Sequence, residues 1–210
     1  MGAVKQSSIK DIPASIIIGL SGGAGTGKDT VANILVEQHG FYKIAFADEI
    51  KRICRMLFQF TDEQLWGPSE LRNRPDERYS DLTPRHALQT LGDWGRAQYK
   101  NVWVRLVMKE ALRLHKAGLD PGTGRWLAGV VISDCRFKDE LDAIWGVEGK
   151  LVRVKSTFPT QQLLLPLAEH VTETEQLEVQ DEDFDYVLTN EGDLDSLGTA
   201  VGTMMAELVI

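Results

Sequence analysis

The sharpest chemical signal lies just after the first apolar run. Gly22-Gly23-Ala24-Gly25-Thr26-Gly27-Lys28-Asp29-Thr30 has the spacing G-x-x-x-x-G-K, between the run IIIGL and a helical pattern. Glycines let a backbone turn back and aim successive N–H groups at phosphate oxygens. A helix starting there adds the positive end of its dipole, and Lys28 adds a full charge for the β and γ phosphates. Two unit charges 4 Å apart interact by about 4 kcal/mol at an effective dielectric of 20, so one lysine weighs heavily with a triphosphate. Gly22, Gly25, Thr26, Gly27, Lys28, Asp29 and Thr30 are therefore candidate ligands of nucleotide phosphates. The competing reading is a tight strand-to-helix turn with no ligand. The residue after the lysine is usually a Ser or Thr that binds magnesium. Here it is Asp29, which would repel a phosphate it faced, so it is expected to point away or to act through the metal. Thr30, next in line, is a candidate magnesium ligand.

A second constellation follows the run VVIS: Asp134-Cys135-Arg136, then a helical pattern with Asp139 and Glu140. Ligands of open parallel sheets sit outside the carboxyl ends of the strands. Asp134 is thus placed to hold magnesium or its water shell, and Arg136 to face phosphates in transfer. The alternative is an aspartate capping the next helix with Arg136 in solvent. Between the two constellations, residues 51–105 hold ten Lys and Arg against seven acids, with Trp66, Trp94, Tyr99 and Trp103 interleaved. Arginine's planar fork suits bidentate phosphate recognition, so a subset would hold a second phosphorylated substrate. An aromatic there could stack on a nucleobase, although a lone tryptophan is more often a packing residue.

Five short runs rich in β-branched or aromatic residues are strand candidates, at 16–20, 41–46, 128–133, 150–155 and 185–189. Helical patterning separates them, which argues for a parallel α/β sheet with helices on both faces. One helix should run from about Gly27 to His39, burying Val31, Ile34 and Leu35, and stop at Gly40. Asp48 is read as the cap of a second, with Ile50, Ile53 and Leu57 inward; Thr83 and Pro84 read as the N-cap and first residue of a third. Further helices are expected over 102–117, with Leu106 and Leu112 inside; over 137–145; and over 194–208, with Leu194, Leu197, Val201 and Leu208 on the core face. Residues 67–82 are polar and turn-rich. The 210 residues fit one domain: a lead-in over 1–15, then a domain over 16–210 with a helical insertion at 47–120.

Composition excludes several classes. The hydrophobic share of 43% and the charged share of 26% are those of a globular chain, not a disordered one. No apolar run approaches a membrane span, and the start lacks the apolar core of a secretory signal. Cys54 and Cys135 supply neither a disulfide framework nor a metal-ligand set, which suits a reducing cytoplasm. The net charge of −8 is uneven: no Lys or Arg follows Lys155, and residues 156–210 carry twelve acids. An anionic substrate must be held by the first three quarters of the chain.

GLSGGAGTGKDT, FADEIKRI, RHALQTLGDWGRA, NVWVRLV, VVISDCRFKDELDAI, EHVTE and VLTNEGDLDSL occur in the order seen in the phage-type deoxynucleoside monophosphate kinases, which this sequence resembles over about 16–200. The resemblance implies a P-loop, nucleoside monophosphate kinase-like fold with five parallel strands in the order 2-3-1-4-5, setting Asp134 next to Lys28. It implies magnesium-dependent transfer of the ATP γ-phosphoryl group to a deoxynucleoside monophosphate. Matched positions assign the donor phosphates to the glycine loop, place Lys51, Arg85, Gln89 and Trp103 along the monophosphate pocket, and set Asp134, Arg136 and Glu140 between the substrates. Arg74 or Arg78 would hold the acceptor phosphate, Asn190 and Gly192 would lie by the donor adenine, and 157–182, with His170 and Glu173, would be lid-like. The sequence departs from the pattern in lacking basic residues inside the loop and arginines after the fourth strand.

The partners expected are therefore small nucleotides, ATP and a dNMP, and neither nucleic acid nor membrane. The setting expected is the cytoplasm, a host's if the source is viral; a homodimer is left open. Two rivals stand beside this reading. One is a kinase for another small phosphate, since animal phosphomevalonate kinases are similar in the glycine loop and Asp-x-Arg. The other is a P-loop ATPase or nucleotide switch.

Overall fold

The computed structural model describes residues 15–23, 25–157 and 179–208. His170, Glu173, most of the expected lid-like segment and nearly all of the lead-in lie outside them. Five strands, β1 (Ile16–Ser21), β2 (Phe41–Ile44), β3 (Gly129–Cys135), β4 (Lys150–Ser156) and β5 (Tyr186–Asn190), form one all-parallel sheet in the order β2-β3-β1-β4-β5. The expected order is the observed one. The helices are α1 (Lys28–His39), α2 (Asp48–Phe58), α3 (Asp62–Trp66), α4 (Ser69–Asn73), α5 (Pro84–Gln98), α6 (Val102–Ala117), α7 (Lys138–Trp145) and α8 (Leu194–Leu208).

Both sheet faces are covered because alternate strand residues are apolar on each side. Ile17, Val130, Ile132 and Leu151 pack under α6 and α7 through Val107, Ala111, Leu114, Leu141 and Ile144. Ile18, Leu20, Val131, Val152 and Leu188 pack under α1 and α8 through Val31, Leu35, Leu197 and Val201. A third cluster, with Ile50, Cys54, Phe60, Leu65, Ala87 and Trp103, lies among the helices between β2 and β3. No described helix is long and apolar enough to cross a membrane.

Local signals for helix ends hold well. Gly40 and Gly118 close α1 and α6 in the left-handed conformation, and the Thr83 hydroxyl caps α5 by accepting from His86 N at 3.1 Å. Five expectations fail. Asp48 is the first residue of α2 rather than its cap; its carboxylate instead accepts from Ala45 N at 2.9 Å and from Trp66 Nε1 at 2.9 Å. Leu57 is exposed because it lies in the last turn of α2, past the surface that covers Ile50 and Cys54. Leu106 and Leu112 are exposed because the inward face of α6, made by Trp103, Val107, Met108, Ala111 and Leu114, lies between them: Leu106 falls about 60° beyond Trp103 on one side and Leu112 about 40° beyond Met108 on the other. Leu194 is 70% exposed at the first turn of α8. Within the expected helical insertion, the polar stretch 67–82 contains α4, and α3 precedes it.

Candidate active site

The glycine loop leaves the end of β1 and enters α1 through backbone only glycine adopts easily: φ is +97° at Gly27 and +150° at Gly22. A Cβ at Gly27 would lie 2.5 Å from the Asn190 side chain. In front of this turn opens a cavity of about 820 Å³. Gly25, Lys28 and Asp29 line one side, Ser133, Asp134 and Arg136 the β3 tip, and the helices between β2 and β3 the other side. Parallel pairing of β1 with β3 brings these groups together, with Ser21 opposite Cys135.

The Lys28 ammonium donates to Gly22 O at 2.7 Å and Gly23 O at 2.6 Å. Burial, and then the nearby Arg136, pull its pKa down to about 8, against the pull of Asp29 and Asp134. Asp29 accepts from Lys43 Nζ at 2.9 Å. Burial works against its ionised form, yet Lys43, Lys28 and Lys51 hold it below the ordinary carboxylate range. Lys43 interrupts the apolar pattern of β2, and that interruption was the sequence signal for its role.

Asp134 ties the β3 tip to the turn before α2: Oδ1 accepts from Phe46 N at 2.6 Å and Oδ2 from Ala47 N at 3.0 Å. Burial raises its pKa while those two donors oppose the rise. Glu140 is buried, and its Oε2 accepts from Arg136 N at 2.7 Å and Phe137 N at 3.1 Å, fixing the backbone that carries Arg136. Burial, and then the Asp134 charge, push the Glu140 carboxyl up to about 8.

Across from the loop stand Lys51, Arg72, Arg85, Gln89, Arg96 and Trp103. Arg72 is held by donating to Leu65 O at 3.1 Å, Gly67 O at 2.7 Å and Ser69 Oγ at 3.0 Å, and Arg85 by Asn73. Among the described residues, Arg72, Arg85 and Arg136 make no ion pair. Burial, and then the charge of Arg85, lower the Arg72 pKa, with Arg136 adding to the effect. Like charges held together with no carboxylate in ion-pair contact favour a bound anion. Trp103 is a wall: its indole N–H donates to Gly92 O at 3.0 Å.

Arg74 and Arg78, expected at an acceptor phosphate, are not on the cavity wall. Arg78 is bound instead to the buried Asp76, at 2.8 Å through Nε, and to Gln59 O at 3.0 Å. Arg72 stands at the cavity in their place. The fold of α3 and α4, which the turn-rich composition concealed, puts it there. Gly22, Thr26, Gly27, Thr30, Asn190 and Gly192 are also off the wall. The Asn190 side chain binds Thr26 O at 3.1 Å and Gly192 N at 3.0 Å.

Magnesium in phosphoryl transfer is held through one or two carboxylates plus phosphates and waters, not by a full protein cage. No group of three potential metal ligands occurs among the described residues. Asp134 fits the lighter requirement, since each of its oxygens accepts one backbone N–H and keeps a lone pair. Thr30, the other expected ligand, is not on the cavity wall.

No protein-family model matches the chain. Among solved structures it is similar in fold to a dephospho-CoA kinase from Campylobacter jejuni, at 14% identity and TM-score 0.49, covering 92% of this chain and 96% of that one. It is likewise similar to a shikimate kinase from Acinetobacter baumannii, at 16% identity and TM-score 0.46, covering 92% and 94%. Both likenesses are too distant to bear on activity. A protein of Acanthamoeba polyphaga mimivirus, named provisionally as a deoxynucleotide monophosphate kinase, is far nearer. It is 38% identical over 143 residues, which is 66% of this chain and 73% of the relative. Identity at that level across most of the relative, on a parallel sheet that sets a glycine loop against arginines, makes this chain a member of the deoxynucleotide monophosphate kinase family of phosphotransferases.

Proposed function

We propose that the chain transfers the γ-phosphoryl group of ATP to a deoxynucleoside monophosphate, yielding ADP and a dNDP. The observation that carries this reading is the set of Arg72, Arg85 and Arg136, free of ion pairs among the described residues and lining the same cavity as Lys28. A hydrolase needs one phosphate site; this arrangement supports two anionic ligands facing each other.

Lys28 exchanges its loop carbonyls for donor phosphate oxygens. Arg72 and Arg85 hold the acceptor phosphate, with Lys51 beside them. Arg136, whose backbone Glu140 fixes, lies between donor and acceptor and balances charge spreading over the transferred group. An acceptor phosphate oxygen attacks the γ phosphorus as the bond to the β–γ bridging oxygen breaks. That oxygen is already anionic near neutral pH, so positioning replaces a general base. Magnesium, when bound at Asp134, neutralises donor phosphate charge. Ile50, Leu88, Gln89, Trp103 and Val104 offer an apolar slot with one amide for the base. Residues 47–120 then form the acceptor-binding insertion of a single domain over 16–210, acting on dissolved nucleotides in a cytoplasm.

The test is ATP-dependent ADP release with a panel of dNMPs, NMPs and phosphomevalonate. At least one deoxynucleotide should stimulate release strongly, Lys28→Ala should abolish it, and Arg72→Ala should raise the acceptor KM by about tenfold to a hundredfold. ATP turnover indifferent to every monophosphate would indicate an ATPase or switch; stimulation by phosphomevalonate alone would indicate a different small-phosphate kinase.

A further inference from the structure

Asn190 ends β5, two strands away from β1, yet its side chain reaches the glycine loop. Its Nδ2 donates to Thr26 O at 3.1 Å, its Oδ1 accepts from Gly192 N at 3.0 Å, and its backbone oxygen accepts from Thr157 N at 3.1 Å. The amide is thus anchored from both sides. It packs where a Cβ on Gly27 would stand, 2.5 Å from Nδ2.

Thr26 O and Gly27 N–H belong to one planar trans peptide, so they point in opposite directions. Fixing one fixes the other. Gly27, at φ +97°, follows this peptide and offers little resistance to its rotation. A flip would replace an N–H with a carbonyl oxygen, turning a phosphate donor into a repulsive group. We propose that Asn190 is a positioning residue for the donor cradle: by holding the Thr26 carbonyl it keeps the Gly27 N–H aimed at phosphate. This inference rests on the reading of the loop as the ATP phosphate site. It differs from the adenine-side role that family resemblance implies for Asn190, because both ends of the amide are bound within the protein.

The test is ATP affinity by calorimetry between pH 8 and pH 5, with the acceptor KM measured in parallel. In Asn190→Asp a carboxylate faces the Thr26 carbonyl, so ATP binding should weaken about tenfold at pH 8 relative to wild type. Protonation of the introduced carboxyl restores a donor toward the Thr26 carbonyl, so the ratio to wild type should move toward one as the pH is lowered. Asn190→Ala should weaken ATP binding at every pH, with thermal unfolding confirming that it folds. In both variants the acceptor KM should stay within about twofold. ATP affinity unchanged in both, or an acceptor KM that moves as much as the donor affinity, would overturn the proposal. Wild type binding ATP no better than Lys28→Ala would overturn the cradle reading itself, a result separable from the others because it needs no Asn190 variant.

Discussion

Two glycines three residues apart on α5 should respond to alanine with opposite signs. A Cβ on Gly95 would fall 2.7 Å from Trp103 Cε2 and 2.9 Å from its Nε1, with Cζ2 nearer still. A Cβ on Gly92 would meet nothing closer than 3.5 Å, at Arg96 and Ile50. Both replacements gain about 1 kcal/mol of helix propensity. Gly92→Ala should keep most of that. Gly95→Ala must push the buried indole aside, at about 1–3 kcal/mol for overpacking. It also strains the Trp103 Nε1 bond to Gly92 O, whose loss costs about 1–3 kcal/mol. The net expectation is a loss of about 2–4 kcal/mol for Gly95→Ala. At about 2–4 °C per kcal/mol for a chain this long, the midpoint should fall by about 5–15 °C, against a rise of about 2–4 °C for Gly92→Ala. Calorimetric or near-ultraviolet unfolding reads both. Because Trp103 walls the cavity, Gly95→Ala should also raise the acceptor KM. Equal stability of the two variants would refute the packing argument.

Two pH predictions follow from buried charges. Lys28 is pulled to about 8 by burial and by Arg136, and a bound phosphate must raise it again. Nucleotide binding should therefore take up a proton above pH 8, and affinity should fall toward tenfold per pH unit there. Calorimetry in buffers of different ionisation enthalpy measures the uptake, and its absence at pH 9 would contradict the assignment. Glu140 is raised from 4.5 to about 8, so between those values the folded chain binds more protons than the unfolded one and its stability falls as pH rises. Glu140→Gln removes that dependence while keeping an acceptor for Arg136 N and Phe137 N. Its stability relative to wild type should improve between pH 5 and pH 8 by up to about 4 kcal/mol. A difference independent of pH would show that Glu140 stays ionised when folded.

Much of the molecule was legible in the sequence because its signals are local. The glycine loop, the strands, the Gly40 and Gly118 stops and the Thr83-Pro84 start each depend on a few adjacent residues and their backbone preferences. The rotation of α6 was not legible, since Leu106 and Leu112 are as apolar as the residues that face inward. Which arginine meets the cavity was also hidden. Arg72, Arg74 and Arg78 share one chemistry in one polar stretch, and only the folding of α3 and α4 turns Arg72 toward Lys28 while Asp76 binds Arg78. The same holds for Asn190, which reaches Thr26 across 164 positions of chain. Residue type determined what chemistry this protein has available; the placement of charges took tertiary contacts, because electrostatic and packing energies depend on distances in space that spacing along the chain does not encode.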